Sequence, residues 1–454
     1  MNLNPLFKPK TMAVIGVSLR NDLHPANVIF NKNNNRYPIQ TYAINPKGGL
    51  LHDETVYGRI SEIPEKIDLA VIATRAELVP DIVTDCIKAG VGGAAVISGG
   101  FSEVGRHDLQ DRLVSIARDA DFPFIGPNCL GVYVPAYMDT FFLPIERMVF
   151  PPAGNVAFVS QSGGILVDQM IKFKEEGVGL AKAVSIGNKA LIREIDFLEY
   201  LADDPQTKVI VFYIEGFGED EGRNFVQAAR TCPKPIIVLK SGKTPAGGKA
   251  VSSHTASLAG DYESFFAALS QHGIVIAHNE LELVAFCEAL SSYQKPIGTN
   301  IGIVTGSGGH GALAVDACYY NSLTVPSLHS DLQEEIRDNL SPSSRDIAST
   351  GNPIDLTGSG TDDDFVLTVR LLSMKDDVDC IMVLLLPYLP GISTDLGARL
   401  SAVYKQYGTP IIAYVPHVEK YQMLIEGFEL NGVPVSQSIE GTVFMAKALR
   451  RISR

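Results

Sequence analysis

The chain has 454 residues, 46% of them apolar, and a formal net charge of −13 at pH 7. This length suggests about three domains of roughly 150 residues each. The acidic balance, with no lysine- or arginine-rich run, argues against nucleic acid as the main partner. No apolar run approaches the ~18 residues that span a membrane, and the first ten residues lack the apolar segment of a secretory signal. We therefore expect a soluble, cytoplasmic protein.

The cysteines are spaced too widely for a disulfide framework or a zinc site. No Cys-x-x-Cys pair occurs, and no histidine stands at a ligand spacing from a cysteine. The sequence predicts buried thiols in a reducing compartment, and no metal site, for Cys86, Cys129, Cys232, Cys287, Cys318 and Cys380.

The first third of the chain alternates short apolar runs with helical patterns such as 79–89. This order predicts a parallel, doubly wound sheet that binds ligands at the carboxyl ends of its strands. A dinucleotide site requires G-x-G-x-x-G after the first strand, whereas only Gly16 follows here, which disfavours NAD. The predicted strands are 12–16, 40–44, 69–73 and 93–97.

The loops after these strands are suited to phosphate groups. Asn45-Pro46-Lys47 follows the second strand, Ser98-Gly99-Gly100 follows the fourth, and a Gly-Pro-Asn-Cys segment at 126–129 follows a short fifth strand. Glycines let backbone N–H groups approach a phosphate closely. Lys47 and Arg75 are candidate charge partners for phosphates, or else solvated surface cations.

In the second third, a strand at 155–159 enters the segment Ser160-Gln161-Ser162-Gly163-Gly164 and then a helical pattern. Unpaired N–H groups and the helix dipole make such a helix start an anion site. The alternative is a plain tight turn with a serine N-cap. A further strand at 208–215 ends in Glu215, and the acidic run 219–221 is predicted to be the solvated start of the next helix.

A polar segment at 240–260 follows the predicted strand 235–239. Its glycines, serines and threonines predict a loop, with a helix beginning near Asp261. His254 lies among hydroxyl side chains near the end of this segment. A histidine there suits a nucleophile, and the alternative is an ordinary surface histidine beside a helix start.

The last third repeats the strand, glycine-serine loop and helix order, with Gly306-Ser307-Gly308-Gly309 between 301–305 and 312–320. Strands at 380–386 and 410–415 complete another parallel sheet. The acidic run 362–364 is predicted to be a solvated helix cap and not a metal site.

Several of these segments together resemble one family. Residues 240–243 with 252–260 resemble the phosphohistidine loop of NDP-forming acyl-CoA synthetases, in the succinyl-CoA synthetase superfamily. The segments at 45–46 and 126–129 resemble its CoA-binding domain, and 352–356 resembles its third domain. The resemblance implies an α/β protein with a Rossmann-like CoA-binding domain followed by two flavodoxin-like parallel-sheet domains, the second carrying the phosphohistidine loop. The implied domains are 1–148, 149–293 and 297–454.

The resemblance also implies residue roles. His254 would carry the phosphoryl group, and Glu215, in a Tyr-x-Glu context, would fix its tautomer and stabilise the charged ring. The phosphate would lie against Ser160, Gln161, Ser162, Gly163, Gly164, Gly306, Ser307, Gly308 and Gly309. Coenzyme A would contact Gly16, Ser18, Asn45, Pro46, Lys47, Thr74, Ser98, Gly99, Gly100 and Asn128.

The chain departs from the family pattern at four places. Ala256 stands where the family usually has glycine, Leu191 where it commonly has an acidic residue, and His310 where it usually has proline. The loop after the first strand lacks the further glycines that the family usually has near 25–27, so the resemblance does not imply how the nucleotide end of CoA is held there.

The implied reaction is acyl-CoA + phosphate + ADP ⇌ acid + CoA + ATP, through an acyl phosphate and a phosphohistidine. Because no ATP-grasp segment or G-x-x-x-x-G-K-[ST] loop occurs, nucleotide and Mg²⁺ are expected on a separate ATP-grasp beta subunit, in an alpha2beta2 assembly. The acyl group, ADP against GDP, and the direction stay open. The alternatives are a CoA-binding regulatory protein, a phosphohistidine carrier with another partner, and an NAD-dependent dehydrogenase.

Overall fold

The computed structural model describes residues 1–218, 220–255 and 262–452, with the backbone alone for 252–255. The chain forms two compact units, Met1–His272 and Gly273–Arg454. Three sheets with parallel strands organise these units. Within the described residues, no helix is both long and apolar enough to cross a membrane. The six cysteines are free thiols, of which five are buried and Cys232 is partly exposed.

The first sheet is the predicted doubly wound sheet, and the four predicted strands are confirmed to within one residue. Its order is β3-β4-β2-β1-β5-β6-β7, and its pairings are parallel except between β3 and β4. The order reverses at β1, which is the position that places a ligand site at the carboxyl edge. The strands are β1 (Thr11–Ile15), β2 (Gln40–Ile44), β3 (Gly49–Leu51), β4 (Glu54–Tyr57), β5 (Leu69–Ile72), β6 (Gly93–Val96) and β7 (Phe124–Ile125).

Four helices accompany this sheet, and the predicted helix 79–89 is confirmed. The hairpin β3–β4 is not predicted by the sequence, because its strands are short and lie at the sheet edge. Its turn places His52 and Asp53 at φ of 49° and 67°, the left-handed pair that closes a tight hairpin. The helices are α1 (Asn4–Phe7), α2 (Pro25–Arg36), α3 (Val79–Lys88) and α4 (His107–Asp119).

The second sheet of this unit runs β13-β12-β10-β11-β8-β9. Strand β8 pairs antiparallel with β11, so the two strands that follow the 126–129 segment belong to the second sheet and not the first. The strands are β8 (Gly131–Val134), β9 (Met138–Asp139), β10 (Ala153–Ser160), β11 (Leu180–Ser185), β12 (Val209–Ile214) and β13 (Ile236–Lys240). The helices are α5 (Gly163–Glu175), α6 (Glu194–Asp203), α7 (Glu221–Thr231), α8 (Pro245–Thr255) and α9 (Tyr262–Ser270).

Helix α8 corrects the prediction of a loop over 240–260. The Thr244 hydroxyl accepts the N–H of Gly247 at 3.0 Å, and proline occupies the first helical position. This cap and proline start a helix despite the glycines. The His254 backbone therefore lies in the last turn of α8, while its side chain, Ala256 and Asp261 lie outside the described residues.

The second unit contains a five-stranded parallel sheet, β16-β15-β17-β18-β19. Helix α10 packs in this unit, where Glu282 accepts from the Lys447 ammonium at 2.7 Å. The strands of this sheet are β15 (Ile301–Thr305), β16 (Ile354–Asp355), β17 (Cys380–Leu384), β18 (Ile411–Tyr414) and β19 (Val435–Ser436). Strand β14 (Val275–Ala277) belongs to this unit but not to this sheet. The helices are α10 (Glu280–Ser292), α11 (Gly308–Tyr320), α12 (Ser330–Asn339), α13 (Pro342–Arg345), α14 (Asp362–Ser373), α15 (Leu396–Tyr407), α16 (Gln422–Glu429) and α17 (Ile439–Arg451).

The acidic run 362–364 begins helix α14, as predicted, but it is not solvated throughout. Asp364 is 2% exposed and accepts hydrogen bonds from the Ser341, Ser344 and Thr361 hydroxyls. Burial would raise the pKa of Asp364, but these donors hold it below its usual value. Asp364 therefore joins α14 to α13 and to Ser341 directly before it, which accounts for its burial.

Candidate active site

The first unit contains a cavity of about 1000 Å³ at the carboxyl ends of both its sheets. The segments after β5, β6 and β7 supply one part of the lining, and the segments after β10, β11 and β12 supply another. Parallel strands leave backbone groups and loop side chains together at this edge. The cavity therefore joins the predicted CoA loops to the predicted phosphate loop within one unit.

Four of the predicted CoA residues line this cavity, namely Thr74, Ser98, Gly99 and Asn128. The Ser98 hydroxyl accepts the N–H of Thr74 at 3.0 Å, and its carbonyl accepts the N–H of Asn128 at 2.9 Å. These bonds fix three loop ends against one another. Arg75 also lines the cavity. The other predicted CoA residues lie outside its lining: Gly16, Ser18, Asn45, Pro46, Lys47 and Gly100.

The loop after β6 does not present every glycine N–H to a ligand. The Gly100 N–H donates to Glu103 at 2.5 Å, and the Asn188 amide donates to the same carboxyl group at 2.6 Å. Burial would raise the pKa of Glu103, but these donors hold it below its usual value. The Gly100 N–H, which was expected to face a phosphate, thus donates to the ionised Glu103 side chain.

The start of helix α5 opens into the cavity through Ser162, Gly163 and Gly164. Ser162 is the N-cap, and its hydroxyl accepts the N–H of Ile165 at 3.4 Å. Ser160 is fully buried and supports the turn by donating to the Ser162 carbonyl at 2.6 Å. The remaining N–H groups of the first turn and the helix dipole favour an anion at this point.

Gln161 connects this helix start to Glu215. Its side-chain oxygen accepts the N–H groups of Glu215 at 2.5 Å and Gly216 at 3.1 Å. Its amide nitrogen donates to the Gly216 carbonyl at 2.9 Å and to Glu194. Glu215 is 8% exposed and lines the cavity directly after β12. The predicted carboxylate and the predicted anion site therefore share one cavity wall.

A lysine that the sequence did not single out lies beside these groups. The Lys189 ammonium donates to Glu194 at 3.1 Å, to Glu221 at 3.0 Å and to the Gly216 carbonyl at 2.8 Å. Burial would raise the pKa of Glu221, but Lys189 and Arg193 hold it below its usual value. Glu221 is thus an ion-paired, largely buried residue and not the solvated one predicted. Asp220 is exposed, and Glu219 lies outside the described residues.

Lys240, at the end of β13, provides a pH-dependent prediction. Burial lowers the pKa of its ammonium from 10.5 to about 8, against the attraction of Glu215. The unfolded chain binds this proton at a higher pH than the folded chain does. The contribution of Lys240 to the free energy of unfolding therefore falls as the pH drops from about 10.5 to 8. We expect the unfolding free energy of the wild type minus that of Lys240→Met to rise between pH 8 and 10, measured by urea titration. A difference that stays constant over this range would contradict the assignment, since the buried tyrosines titrate in both proteins.

The second glycine-serine loop, in the other unit, repeats the turn of the first. The Ser307 N–H donates to the Thr305 hydroxyl at 3.2 Å, as the Ser162 N–H does to Ser160 at 3.2 Å. Helix α11 begins inside the predicted loop, at Gly308, four residues before the predicted start, and its N-cap is Ser307. The predicted order of strand, glycine-serine turn and helix is confirmed. His310 is partly exposed, and its Nδ1 lies 3.1 Å from the Ser307 hydroxyl. Leu191 packs against the core of the first sheet.

Family models match three successive parts of the chain. A CoA binding domain matches 10–135, a succinyl-CoA ligase like flavodoxin domain matches 153–290, and a ligase-CoA domain matches 301–404. These matches follow the three sheets in order. Together with the cavity that joins the predicted CoA loops and the predicted phosphate loop, these matches define a class of protein, the CoA ligases.

Similar proteins identify the family within this class. The chain is 32% identical to the alpha subunit of Pyrococcus furiosus acetate–CoA ligase [ADP-forming] II, covering 98% of this chain and 97% of that one. It is 38% identical to acetate–CoA ligase [ADP-forming] I of Archaeoglobus fulgidus over 84% of its length, but spans 54% of that protein. The solved dinucleotide forming acetyl-coenzyme A synthetase 1 of Ca. Korarchaeum cryptofilum, in complex with phosphate and ADP, superposes with a TM-score of 0.88 at 30% identity, covering 99% of this chain and 96% of that chain. The chain therefore belongs to the family of ADP-forming acyl-CoA synthetases. It spans about half the length of some curated relatives and nearly all of the two Pyrococcus furiosus alpha subunits that it matches.

Proposed function

We propose that this chain is the alpha subunit of an ADP-forming acyl-CoA synthetase, which interconverts acyl-CoA, phosphate and ADP with a carboxylic acid, CoA and ATP. The observation that supports this most is the single cavity shared by the loops at Thr74, Ser98 and Asn128, the N-terminus of α5, and Glu215. The first loops suit the nucleotide and pantetheine parts of CoA, and the helix start suits a phosphate.

The proposed reaction proceeds in three steps. Phosphate attacks the thioester carbonyl, so that the carbon–sulfur bond breaks, CoA leaves as the thiolate and an acyl phosphate forms. His254 then attacks phosphorus and the carboxylate leaves. ADP finally takes the phosphoryl group from His254 to give ATP. The helix start at Ser162 stabilises the anionic phosphate, and Glu215 fixes the imidazole tautomer. Nucleotide and Mg²⁺ belong to a separate ATP-grasp beta subunit, in an alpha2beta2 assembly. In this chain, a second phosphate loop consists of Gly306, Ser307, Gly308 and Gly309.

Intact-mass spectrometry tests the proposed function directly. The chain is co-expressed with its beta partner and incubated with MgATP, as wild type and as His254→Ala. We expect an acid-labile gain of about 80 Da, one phosphoryl group, that is absent from the variant. If no label appears although the partner binds nucleotide, the synthetase assignment fails, and a CoA-binding regulatory protein becomes the better explanation.

His24 gives a prediction about CoA. It caps α2 with Nδ1, which accepts the Ala26 N–H at 3.3 Å, and it lines the cavity. Burial lowers its pKa, so the neutral ring carries its proton on Nε2 at neutral pH. Asparagine and aspartate both cap helices well but differ by one charge. We expect His24→Asp to bind CoA about tenfold more weakly than His24→Asn, about 1.4 kcal/mol, by calorimetry at low salt. Equal affinities would show that His24 acts as a helix cap alone.

A further inference from the structure

Glu215 is the first residue after β12, so its backbone lies beyond the strand ladder. On the β13 side, the Ser241 N–H donates to the Ile214 carbonyl at 3.0 Å, and two side chains hold the residue that follows. The Gln161 side-chain oxygen accepts the Glu215 N–H at 2.5 Å. The Lys240 ammonium donates to the Glu215 carbonyl at 2.6 Å. The backbone that carries this cavity-lining carboxylate is therefore held from both sides by side chains of other elements.

The side-chain amide of Gln161 has two acceptor and two donor positions, and protein groups occupy all four. Its oxygen accepts the N–H groups of Glu215 and of Gly216, the latter at 3.1 Å. Its nitrogen donates to the Gly216 carbonyl at 2.9 Å and to Glu194. A phosphate bound by this side chain would have to replace one of these bonds. The start of α5 therefore offers a phosphate the backbone N–H groups of its first turn, and not the Gln161 amide.

Glu194 determines which way the Gln161 amide faces. In the reverse orientation, the amide nitrogen would face two backbone N–H groups, and the amide oxygen would face the Glu194 carboxylate. Donors would then oppose donors, and acceptors would oppose acceptors. Glu194 is 2% exposed and Gln161 is 8% exposed, so little water reaches these groups to satisfy them. The carboxylate on α6 thus selects the amide orientation that holds Glu215.

Glu194 is itself held by an ammonium group. The Lys189 nitrogen lies 3.1 and 3.2 Å from its two oxygens and donates to the Gly216 carbonyl at 2.8 Å. The amide, the carboxylate, the ammonium and the carbonyl thus close a ring of contacts between the segments after β10, β11 and β12. A buried polar network holds one geometry when every member is satisfied. A change at Glu194 is therefore transmitted to Gln161.

We propose that Gln161 and Glu194 are a positioning pair for Glu215, and that the Gln161 side chain is not a ligand of the phosphate. Gln161 sets the backbone of Glu215, and Glu194 sets Gln161, while neither side chain touches the reacting atoms. This inference rests on the proposed function, in which Glu215 orients the phosphorylated imidazole. It revises the expectation from the sequence, which counts Gln161 among the phosphate ligands.

An exchange of the two side chains tests the pair. Gln161→Glu keeps an oxygen facing the two backbone N–H groups, but it places two carboxylates side by side. The double variant Gln161→Glu/Glu194→Gln restores an amide donor between the two positions and has the net charge of the wild type. Lys189 still donates to the Gly216 carbonyl in this variant, so that carbonyl keeps a partner.

The main measurement is the rate of His254 phosphorylation from MgATP, by rapid quench, with the chain and its beta partner purified together. We expect Gln161→Glu to lower this rate at least about tenfold and Glu194→Gln at least about threefold. The double variant should return to within about threefold of the wild type, since the two changes compensate each other.

The KM for phosphate separates positioning from phosphate binding. It is measured in the ATP-forming direction with acetyl-CoA as the acyl donor. In the double variant we expect this KM to stay within about threefold of the wild-type value. If Gln161 binds phosphate instead, the carboxylate at position 161 repels it, and the KM of the double variant rises at least about tenfold. That result would overturn the inference.

Gln40→Glu/Glu199→Gln is the matched control. It makes the same two changes at exposed positions on β2 and α6 that do not line the cavity, so its rate should stay within about twofold of the wild type. Unfolding temperature and CoA affinity are measured for every variant, so that loss of the fold is not read as loss of positioning.

The possible failures are distinguishable. A Gln161→Glu protein within threefold of the wild type would overturn the inference, and so would a double variant no faster than Gln161→Glu. If Gln161→Glu does not fold, the double variant must recover both folding and rate, or the inference is wrong. In each of these cases wild-type His254 is still phosphorylated, and the proposed function stands. If wild-type His254 is not phosphorylated at all, the proposed function itself fails.

Discussion

Glu215→Gln should reduce kcat about 10²–10⁴-fold, the effect expected on loss of a group that orients an active-site imidazole and stabilises its positive charge. The substitution keeps the volume and the backbone N–H bond to Gln161, so the fold should persist. The glutamine amide oxygen can still accept the ring N–H, but the side chain is neutral and cannot balance the charge of the phospho-imidazole as a carboxylate does. Rapid-quench measurement of phosphoryl transfer from MgATP to His254 isolates this step.

Glu199→Gln is the matched control for this substitution. Glu199 is exposed on α6 and does not line the cavity, so its rate should stay within about twofold of the wild type. If Glu215→Gln also stays within a few-fold, Glu215 does not have the proposed role. A loss of CoA affinity equal to the loss of rate would contradict it as well, since the carboxylate is assigned to phosphohistidine and not to CoA.

Lys189→Met should destabilise the first unit by about 3–5 kcal/mol, the usual cost of removing one partner from a buried ion pair. Lys189 and Glu194 have side chains 11% and 2% exposed. Without the ammonium, Glu194 keeps an uncompensated charge beside Gln161, which lowers both stability and the ordering of Glu215. We expect the unfolding transition of this unit to fall by about 10 °C in calorimetry.

Two further variants bracket the result for Lys189. Lys189→Arg keeps the charge and should recover part of the stability. Lys375→Met removes a cation from a surface pair with Glu335 at 3.7 Å and should change stability by less than about 0.5 kcal/mol. If the Lys189→Met protein unfolds at the same temperature as the wild type, Glu194 and Glu221 do not need this cation for stability.

The sequence predicted the strands well, because each is a short apolar run bounded by turn residues. Strands such as β2 and β15 match the prediction at both ends. The loops that follow them could also be placed, since parallel topology brings the carboxyl ends of strands together. Thr74, Ser98, Gln161 and Glu215 share one cavity for this reason, although the first and the last of them are 141 positions apart in the chain, 215 minus 74.

Other features depend on contacts that sequence patterns do not encode. Lys189, Glu194 and Glu221 lie on different elements, so their ion pairs appear only when the second sheet is assembled. The sequence does not single out Glu103, yet its carboxylate accepts the Gly100 N–H. Helix α8 was predicted to be a loop because its glycines outweighed the signal from Thr244 and Pro245. In each case a long-range contact or a cap decides the structure against local composition.

The membership of β8 and β9 in the second sheet has a consequence for gene fusion and module exchange. A graft of the CoA-binding part that stops at the predicted boundary, residue 148, would carry these two strands away from their partner β11. The remaining protein would lose an edge of its second sheet, and the graft would carry the β8–β9 hairpin with the β11-facing edge of β8 unpaired, where other chains can add. Chimeras that exchange CoA specificity should therefore keep 131–139 with the recipient's second sheet and join the parts just after β7.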